Sequence, residues 1–245
     1  MTEATATTTV TTAVREVERL AQDALRMMGL PFPQAERAMH AVTWAEAVYG
    51  LGLAFLAERE TALRAGAGTR LRLAAETGHA VTIDAGGASL LTAGPPALDL
   101  ATALARRHGV GSARIVDTFG LMFAGELAAW AAGRGLGCTA ACWTPDPDDP
   151  FDAAGVFTAA PGEPLRFLAR PEPATATATG ERSVVLVCRR SSLAAGYGAG
   201  ENLSRRFDAA LAAGMASPRA AFRRVGELAL TIRQPSSQRS RNQAG

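Results

Sequence analysis

The sequence has no lysine and very few histidines, which limits the proton-transfer chemistry that the chain can carry. All 25 basic residues are arginine, and only three histidines occur among 245 residues. The absence of lysine excludes a Schiff-base intermediate and a lysine general base. The net charge of +2 is too small to indicate a nucleic-acid partner, and the paired arginines are scattered without interleaved aromatic residues.

Cysteine and long apolar runs are also scarce. Three cysteines, Cys138, Cys142 and Cys188, form an odd and sparse set, which indicates reduced thiols in a cytoplasmic protein rather than a disulfide framework. We expect no metal site, because no further ligands stand near Cys138 and Cys142. No uninterrupted apolar segment is long enough to cross a bilayer, so we expect no membrane partner.

The residues that are present suit one globular domain with two tails. Hydrophobic residues make up 48% of the chain and charged residues 20%, which supports a sizeable core. We expect residues 1–12 to be a disordered tail, residues 13–233 a single α/β domain, and residues 234–245 a second disordered tail. Within the domain, 13–65 is predicted to be helical and 66–233 to form the sheet-and-helix body.

Apolar spacing predicts the elements in chain order. A helix from Val14 to Met28 stops at Gly29, and a second helix from about Gln34 is interrupted near Gly50. Two strands follow, Leu71–Ala75 and Ala80–Asp84. Helix and strand then alternate through a helix from Pro95 to His108, a strand Ser112–Val116, a helix Phe123–Arg134 and a strand Leu136–Trp143. Two further strands, Leu165–Ala169 and Val184–Cys188, and two helices, Leu203–Leu211 and Pro218–Leu230, complete the prediction. Pro171–Gly180 is interpreted as a flexible spacer. This alternation predicts an α/β fold with a mixed sheet flanked by helices and an N-terminal helical segment.

Short motifs appear along these elements in a particular order. Gly29-Leu30-Pro31 follows the first helix, Ala97–Gly111 ends in Gly-Val-Gly, Phe119-Gly120 precedes a helix, and Glu163-Pro164-Leu165 opens a later strand. In this order, from about Val14 to Ser191, the chain resembles the non-Rossmann malate/L-lactate dehydrogenase family, which includes sulfolactate dehydrogenases and piperideine-2-carboxylate reductases. The resemblance implies the fold of this family, NAD or NADP as the cofactor, a small 2-oxo or imino acid as the substrate, and a homodimer.

The chain departs from the family at the positions that carry chemistry. The family's Ser-His-Gly is replaced around Tyr49–Leu53, and the family histidine before Phe-Gly is replaced by Thr118. Gly162-Glu163 stands where the family has Thr-Asn, and Val187 stands where it has Asp. The resemblance therefore implies a divergent, shortened member that lacks the catalytic histidines.

Three residues are candidates for the missing proton-transfer groups. A hydroxyl of Tyr49 can donate a proton, and Asp117 with Thr118 takes the place of the lost histidine motif. The structural alternatives stay open: Tyr49 as a half-buried helix aromatic, and Asp117 as the N-cap of the next helix. The acidic residues Asp146, Asp148, Asp149 and Asp152 are interpreted as a solvated loop rather than a calcium site.

Cofactor contacts are expected at glycine-rich positions. The backbone amides around Gly86, Gly87 and Ser89 can approach a phosphate, although simple loop flexibility explains the same glycines. The resemblance adds Gly120 and Pro164 to the cofactor-binding candidates.

Two functional hypotheses remain from the sequence. In the first, the chain is a divergent oxidoreductase that binds NAD(P)(H), a small 2-oxo or imino acid, or both, with altered or weak redox activity. In the second, it is a non-catalytic relative that acts as an interaction or regulatory subunit. Convergence of Tyr49, Asp117 and an arginine on one pocket favours the first, and a filled apolar pocket favours the second.

Overall fold

The elements are given by a computed structural model that describes residues 8–146, 148–152, 154–168, 182–190 and 200–231. The helices are α1 (Val14–Met27), α2 (Phe32–Tyr49), α3 (Gly52–Glu58), α4 (Glu60–Gly66), α5 (Leu90–His108), α6 (Ala124–Gly133), α7 (Leu203–Ala213) and α8 (Arg219–Leu230). The strands are β1 (Thr9–Thr12), β2 (Arg72–Thr77), β3 (Ala80–Asp84), β4 (Val110–Val116), β5 (Gly137–Trp143), β6 (Gly155–Ala159), β7 (Arg166–Leu168), β8 (Ser183–Arg189), β9 (Glu201–Asn202) and β10 (Met215–Pro218).

The main sheet has the strand order β2-β3-β4-β8-β5-β6-β7-β9. Strands β3 and β4 are parallel, and the other neighbouring pairs are antiparallel. Helix α5 packs against β4 and β8, and α6 packs against β5 and β6. The predicted α/β class with a mixed sheet flanked by helices is therefore confirmed. Within the described ranges, none of the helices combines the length and apolar character that crossing a bilayer requires.

The N-terminal helical segment is interrupted at Gly50, as its glycines predict. Gly50 ends α2 with a left-handed φ of 70°. A Cβ on Gly52 would lie 2.1 Å from the carbonyl oxygen of Val42, so only glycine lets α3 begin directly against α2. The buried carboxylate of Glu46 then accepts a 2.8 Å hydrogen bond from the N–H of Leu53 in the first turn of α3.

The predicted start of α5 at Pro95 is wrong. The helix begins at Leu90, because the hydroxyl of Ser89 accepts a 3.3 Å hydrogen bond from the N–H of Leu91 and caps the first turn. Pro95 and Pro96 therefore lie inside the helix, where neither can donate a backbone hydrogen bond. The predicted end at His108 is confirmed by the left-handed Gly109.

Part of the predicted N-terminal tail is ordered. Thr9–Thr12 forms β1, which pairs antiparallel with Met215–Pro218 in a separate two-stranded sheet. The hydroxyl of Thr12 donates a 3.1 Å hydrogen bond to the carbonyl of Met215, 203 residues away. Local composition cannot reveal such a distant partner. The rest of the predicted tails and the spacer Pro171–Gly180 lie outside the described residues.

Candidate functional site

The site begins where the two parallel strands end. The loop after β3 runs beside the segment after β4, and backbone hydrogen bonds tie the two together. The N–H of Ala85 donates to the carbonyl of Val116 at 3.0 Å, and the N–H of Gly87 donates to the carbonyl of Asp117 at 2.9 Å. The side chains that follow these strands therefore meet at one edge of the sheet.

Asp117 has an unusual backbone conformation at this edge. Its φ of 51° is left-handed, which Asp tolerates better than most residues but which still costs conformational energy. Asp117 is exposed, and its carboxylate makes no hydrogen bond or ion pair with another described residue. Strain of this kind is frequent at functional positions, and the unpaired carboxylate is free to meet a ligand.

Asp117 lines a cavity of about 250 Å³ that we call the polar pocket. Its lining contains two arginines and three aspartates. The complete set is Arg59, Ala62, Gly87, Asp117, Thr118, Phe119, Asp149, Asp152 and Arg182.

Arg59 forms one of the two ion pairs of the polar pocket. Its Nη2 binds Oδ2 of Asp149, whose side chain is only 6% exposed. The guanidinium also lies 5.2 Å from the centre of the Phe151 ring, within the range of a cation–π contact. These two contacts fix the end of the Arg59 side chain against the wall of the pocket.

Asp152 forms the second ion pair and also caps the neighbouring turn. Its Oδ1 accepts hydrogen bonds from the N–H groups of Gly120 at 2.6 Å and Leu121 at 3.0 Å, and its Oδ2 lies 2.7 Å from Nε of Arg182. Burial raises the pKa of Asp152, while the hydrogen bonds from the two N–H groups and the charge of Arg182 oppose that rise. Asp152 thus accepts from the start of the turn Leu121–Phe123 that precedes α6, and Asp117, which the sequence offered as the N-cap of that helix, makes no such bond.

Thr118 and the glycine loop are largely engaged within the protein. The Thr118 hydroxyl donates a 2.8 Å hydrogen bond to the carbonyl of Ala88. The N–H of Gly86 donates to Oδ1 of Asp84 at 3.0 Å, and that of Gly87 donates to Asp117. Ser89 is buried as the cap of α5. Of Gly86, Gly87 and Ser89, only Gly87 lines the polar pocket.

The other two cofactor candidates lie outside the polar pocket lining. Gly120 has a left-handed φ of 78°, and a Cβ there would lie 2.9 Å from Cζ of Phe55. Gly120 is thus required by close packing within the chain. Pro164 is half-buried beside Leu165 and lines neither the polar pocket nor the cavity around Tyr49. A cofactor role for either residue stays a prediction.

Tyr49 lies in a different cavity, of about 280 Å³, which we call the apolar cavity. Its ring packs edge-on against Trp44 at 5.4 Å, and Arg206 lies 6.0 Å from its centre. Burial holds the pKa of the Tyr49 hydroxyl well above its usual range. The apolar cavity is lined by Tyr49, Leu51, Met122, Pro150, Ala154, Phe157, Phe167, Glu201 and Leu203. The structure therefore brings Asp117 and Thr118 together with two arginines and separates them from Tyr49.

Four residues of the polar pocket were not identified as site residues from the sequence: Arg59, Asp149, Asp152 and Arg182. The interpretation of the acidic segment as a solvated loop is wrong for Asp149 and Asp152, whose side chains are 6% and 3% exposed. Phe151 was the available signal, because phenylalanine is among the residues most often buried, and its burial holds the neighbouring Asp149 and Asp152 close to the core.

Other polar groups do not form a second reaction centre with these residues. The histidines His40, His79 and His108 are exposed and line neither the polar pocket nor the apolar cavity. In the part of the chain that the structure describes, no cluster of three or more His, Cys, Asp or Glu side chains is arranged to hold a metal ion.

This chain matches known proteins in fold and not in amino-acid sequence. No family model and no curated protein matches the amino-acid sequence. Solved structures do match. Malate dehydrogenase from Entamoeba histolytica has a TM-score of 0.65 at 10% identity, with 93% of this chain and 99% of that chain covered. Sulfolactate dehydrogenase from Methanocaldococcus jannaschii has a TM-score of 0.69 at 14% identity, with 91% and 97% covered.

A third similar structure is Δ1-piperideine-2-carboxylate reductase from Pseudomonas syringae pv. tomato. Its TM-score is 0.62 at 12% identity, with 89% of this chain and 99% of that chain covered. At such identities the likeness shows the fold alone. The chain has the malate/L-lactate dehydrogenase-like fold, which confirms the fold predicted from the order of its motifs.

Proposed function

We propose that the polar pocket binds a small 2-oxo or imino acid, and that the chain is a divergent oxidoreductase with altered or weak redox activity. The observation that carries this proposal is the meeting of two guanidinium groups and the unpaired carboxylate of Asp117 in one pocket. Proteins of the same fold act on acids of this kind, as the names of the sulfolactate dehydrogenase and the piperideine-2-carboxylate reductase state.

The arginines supply the binding chemistry for a carboxylate. A guanidinium carries five N–H donors, and the aspartate contacts of Arg59 and Arg182 use only some of them. The two arginine side chains are 36% and 38% exposed, so a ligand can reach the remaining donors. A carboxylate held there lies in the same pocket as Asp117, which can exchange a proton with the ligand through its carboxyl oxygen.

The charge balance of the pocket favours one class of acid over another. Two arginines face three aspartates, so the lining is negative when all of them are ionised. A second carboxylate on the ligand would therefore be repelled. A ligand with one carboxylate and a protonated imine nitrogen satisfies both signs, because the nitrogen can pair with Asp117. We therefore expect an imino acid to bind more tightly than a dicarboxylic 2-oxo acid.

We also propose that the chain binds NAD or NADP. The loop at Gly86 and Gly87 does not offer free N–H groups to the phosphates of such a nucleotide. The N–H groups of Gly86 and Gly87 both have acceptors within the chain. A nicotinamide nucleotide would supply the hydride when bound, and its phosphates would need other contacts. NAD(P) is the expected redox partner on the strength of the shared fold.

A second candidate function is a non-catalytic relative that acts as an interaction or regulatory subunit. The observation in its favour is the state of Thr118, at the position where the resemblance places a histidine. Its hydroxyl is 2.8 Å from the carbonyl of Ala88 and is already engaged. Asp117 is then the one titratable group of the polar pocket without a partner among the described residues. One such group is enough to bind a ligand without a reaction.

Titration calorimetry with Δ1-piperideine-2-carboxylate, pyruvate and oxaloacetate tests the proposal, followed by absorbance assays with NADH and NADPH. We expect the imino acid to bind most tightly, and Asp117→Asn to weaken it about tenfold without changing the melting temperature. Arg206→Gln, a matched charge removal beside the apolar cavity, should leave binding unchanged. Absence of heat with all three acids would overturn the proposal, and binding without nucleotide oxidation would favour the second candidate.

A further inference from the structure

Two of the three cysteines face each other across neighbouring strands of the main sheet. Cys138 on β5 and Cys188 on β8 are directly opposite residues of this antiparallel pair. Their sulfur atoms lie 3.6 Å apart in an S–H···S hydrogen bond, although the two residues are 50 positions apart in the chain. Both side chains are fully buried. The pairing of the strands therefore creates a thiol pair that the local sequence does not contain.

The backbone already has the spacing that a disulfide requires. Directly opposite residues of an antiparallel pair have Cα atoms about 4.5–5.5 Å apart, and disulfides join residues whose Cα atoms are about 4.4–6.8 Å apart. The two sulfur atoms must approach from 3.6 Å to a bond length of about 2.05 Å. Rotation about the Cα–Cβ bonds changes this distance without moving either strand. The two thiols can thus be joined inside the folded protein.

Cys142 is the third cysteine of the chain, and it lies far from the other two. It is equally buried, and its sulfur lies 3.7 Å from the carbonyl oxygen of Leu121. It stands four residues from Cys138 along β5 and opposite Val184, which is four residues from Cys188 along β8. At about 3.4 Å per residue, each of these cysteines is about 14 Å away along its strand. The structure therefore singles out one pair among the three thiols.

The thiol pair lies at the ends of both strands, beside exposed segments. Cys138 is the second residue of β5 and follows the exposed turn 133–135. Cys188 is the second-last residue of β8 and is followed two residues later by the exposed Arg190. Local opening at such positions costs less free energy than global unfolding. A small reagent can therefore reach thiols that are buried in the average structure.

Cys188 is the thiol that ionises most readily, and the thiolate is the reactive form. When Cys188 loses its proton, the Cys138 thiol can donate a hydrogen bond to it, which lowers the pKa of Cys188. Burial opposes this change, and the charge of Arg134 adds to the lowering. The same hydrogen bond and burial raise the pKa of Cys138, and burial raises the pKa of Cys142. Oxidation is therefore expected to begin at Cys188.

We propose that Cys138 and Cys188 are a modification site at which hydrogen peroxide forms a reversible disulfide. The Cys188 thiolate attacks one oxygen of the peroxide, the O–O bond breaks, and the leaving hydroxide takes up the proton that Cys188 released, giving water and a sulfenic acid. The Cys138 sulfur then attacks the Cys188 sulfur. The S–S bond forms, the S–O bond breaks, and the hydroxyl leaves with the Cys138 proton as a second water. Two thiols are oxidised and one peroxide is reduced, and a dithiol reductant restores both thiols.

This site is independent of the function proposed for the polar pocket. The two cysteines stand at one end of the β5–β8 pair, whereas Trp143 and Ser183 stand at the other. The polar pocket belongs to that other end, because Asp149 follows β5 and Arg182 immediately precedes β8. Asp117→Asn should therefore leave oxidation of the thiol pair unchanged.

Peptide mapping after peroxide treatment tests the proposal. The folded protein is oxidised, denatured, blocked with N-ethylmaleimide and cut with trypsin, which cleaves after arginine and separates segment 135–166 from segment 183–189. We expect a cross-link between these segments through Cys138 and Cys188 that dithiothreitol reverses, and oxidation of Cys142 at least about tenfold more slowly. Absence of the cross-link, or loss of the Cys142 thiol as fast as the pair, would overturn the proposal.

The same reaction in urea distinguishes strand pairing from thiol reactivity. In the unfolded chain the shorter loop closes more readily, so peroxide should link mainly Cys138 with Cys142, within segment 135–166. In the folded protein the link should join the two segments. If folded and unfolded protein give the same products, the paired geometry does not direct the reaction and the proposal is wrong.

Variants then assign the two roles. Cys142→Ser is the matched control, since it removes an equally buried thiol, and the cross-link should persist. Cys138→Ala leaves the Cys188 sulfenic acid without a thiol to attack it, so dimedone should trap that acid at Cys188. Labelling of Cys142 instead would contradict the assignment. Should the alanine variant fail to fold, the comparison of the parent protein in buffer and in urea still decides the question.

Discussion

The polar pocket and the apolar cavity share a wall but differ in almost every chemical respect. Asp149 and Asp152 of the segment 149–154 line the first, whereas Pro150 and Ala154 line the second. Their volumes are similar, about 250 and 280 Å³. The polar pocket contains two arginines and three aspartates, and the apolar cavity has Tyr49 and Glu201 as its polar groups. Volume therefore says little about function here, and the placement of charge decides it.

The same comparison separates the two main catalytic candidates. Asp117 lines the pocket with the arginines, while Tyr49 lines the apolar cavity, and burial raises the pKa of the Tyr49 hydroxyl further from neutrality. An enzyme would be favoured most strongly if Tyr49, Asp117 and an arginine lined one pocket. Asp117 and two arginines do so, and Tyr49 does not.

The largest effect is expected at Asp152, in the wall of the polar pocket. Asp152→Ala removes the acceptor for the N–H groups of Gly120 and Leu121 and leaves Arg182 without its carboxylate. We expect the free energy of unfolding, measured with urea, to fall by about 3 kcal/mol. Asp152→Asn keeps one oxygen acceptor and should lose less than half as much. A loss below about 1 kcal/mol for the alanine variant would contradict this account of the wall.

Gly87 lines the polar pocket, and Gly120 donates a hydrogen bond to Asp152 in its wall. Substituting each by alanine distinguishes the cost of a left-handed backbone from the cost of a steric overlap. Gly120 and Gly87 have nearly equal left-handed φ values of 78° and 77°. A Cβ at Gly120 meets the Phe55 ring at 2.9 Å, whereas a Cβ at Gly87 meets nothing within 4 Å. We expect Gly87→Ala to cost about 1 kcal/mol and Gly120→Ala about 2–3 kcal/mol in urea unfolding. Equal losses would show that Phe55 moves aside freely.

Glu126 on α6 lies toward the apolar cavity. Its neighbour Gly125 packs against Trp44 and against Phe157, which lines that cavity. Burial raises the pKa of Glu126 from 4.5 to about 8, and a hydrogen bond with Trp130 partly opposes this. Because the folded-state pKa is the higher one, the folded protein binds the extra proton between these values. Its stability therefore falls as the pH rises through that window.

Glu126→Gln should remove this part of the pH dependence. We expect the variant to be more stable than the parent by about 1–2 kcal/mol near pH 8, and the difference to disappear near pH 4. Thermal unfolding at several pH values measures both. A parent whose stability rises between these pH values by more than the variant's would contradict the predicted sign.

The smallest effect is expected from Tyr49→Phe. The substitution removes only a hydroxyl from the apolar cavity, so acid binding in the polar pocket should change by less than about twofold. Calorimetry with Δ1-piperideine-2-carboxylate measures this, with Asp117→Asn as the comparison that should change it. A large loss of binding in Tyr49→Phe would show that the two cavities act together.

Much of the fold could be predicted from local patterns, and the site only in part. The predicted strand Ala80–Asp84 is β3 to the residue, and the spacing of apolar residues placed α6 and β5 within about a residue of their observed ends. Asp117 and Thr118 were found because they follow a strand at a strand-to-helix corner. The arginines of the polar pocket were missed, since Arg59 and Arg182 are 123 positions apart by number and no periodicity links them.

The sequence by itself determined the alternation of helix and strand and the points where helices stop, as at Gly29 and Gly50. These features depend on a few neighbouring residues, chiefly on the ability of glycine to adopt a positive φ. Only the tertiary structure decided that Asp152 is buried under the turn at Gly120 while Asp117 stays free. Burial and pairing depend on which distant segments pack together, and a linear pattern carries no record of that contact.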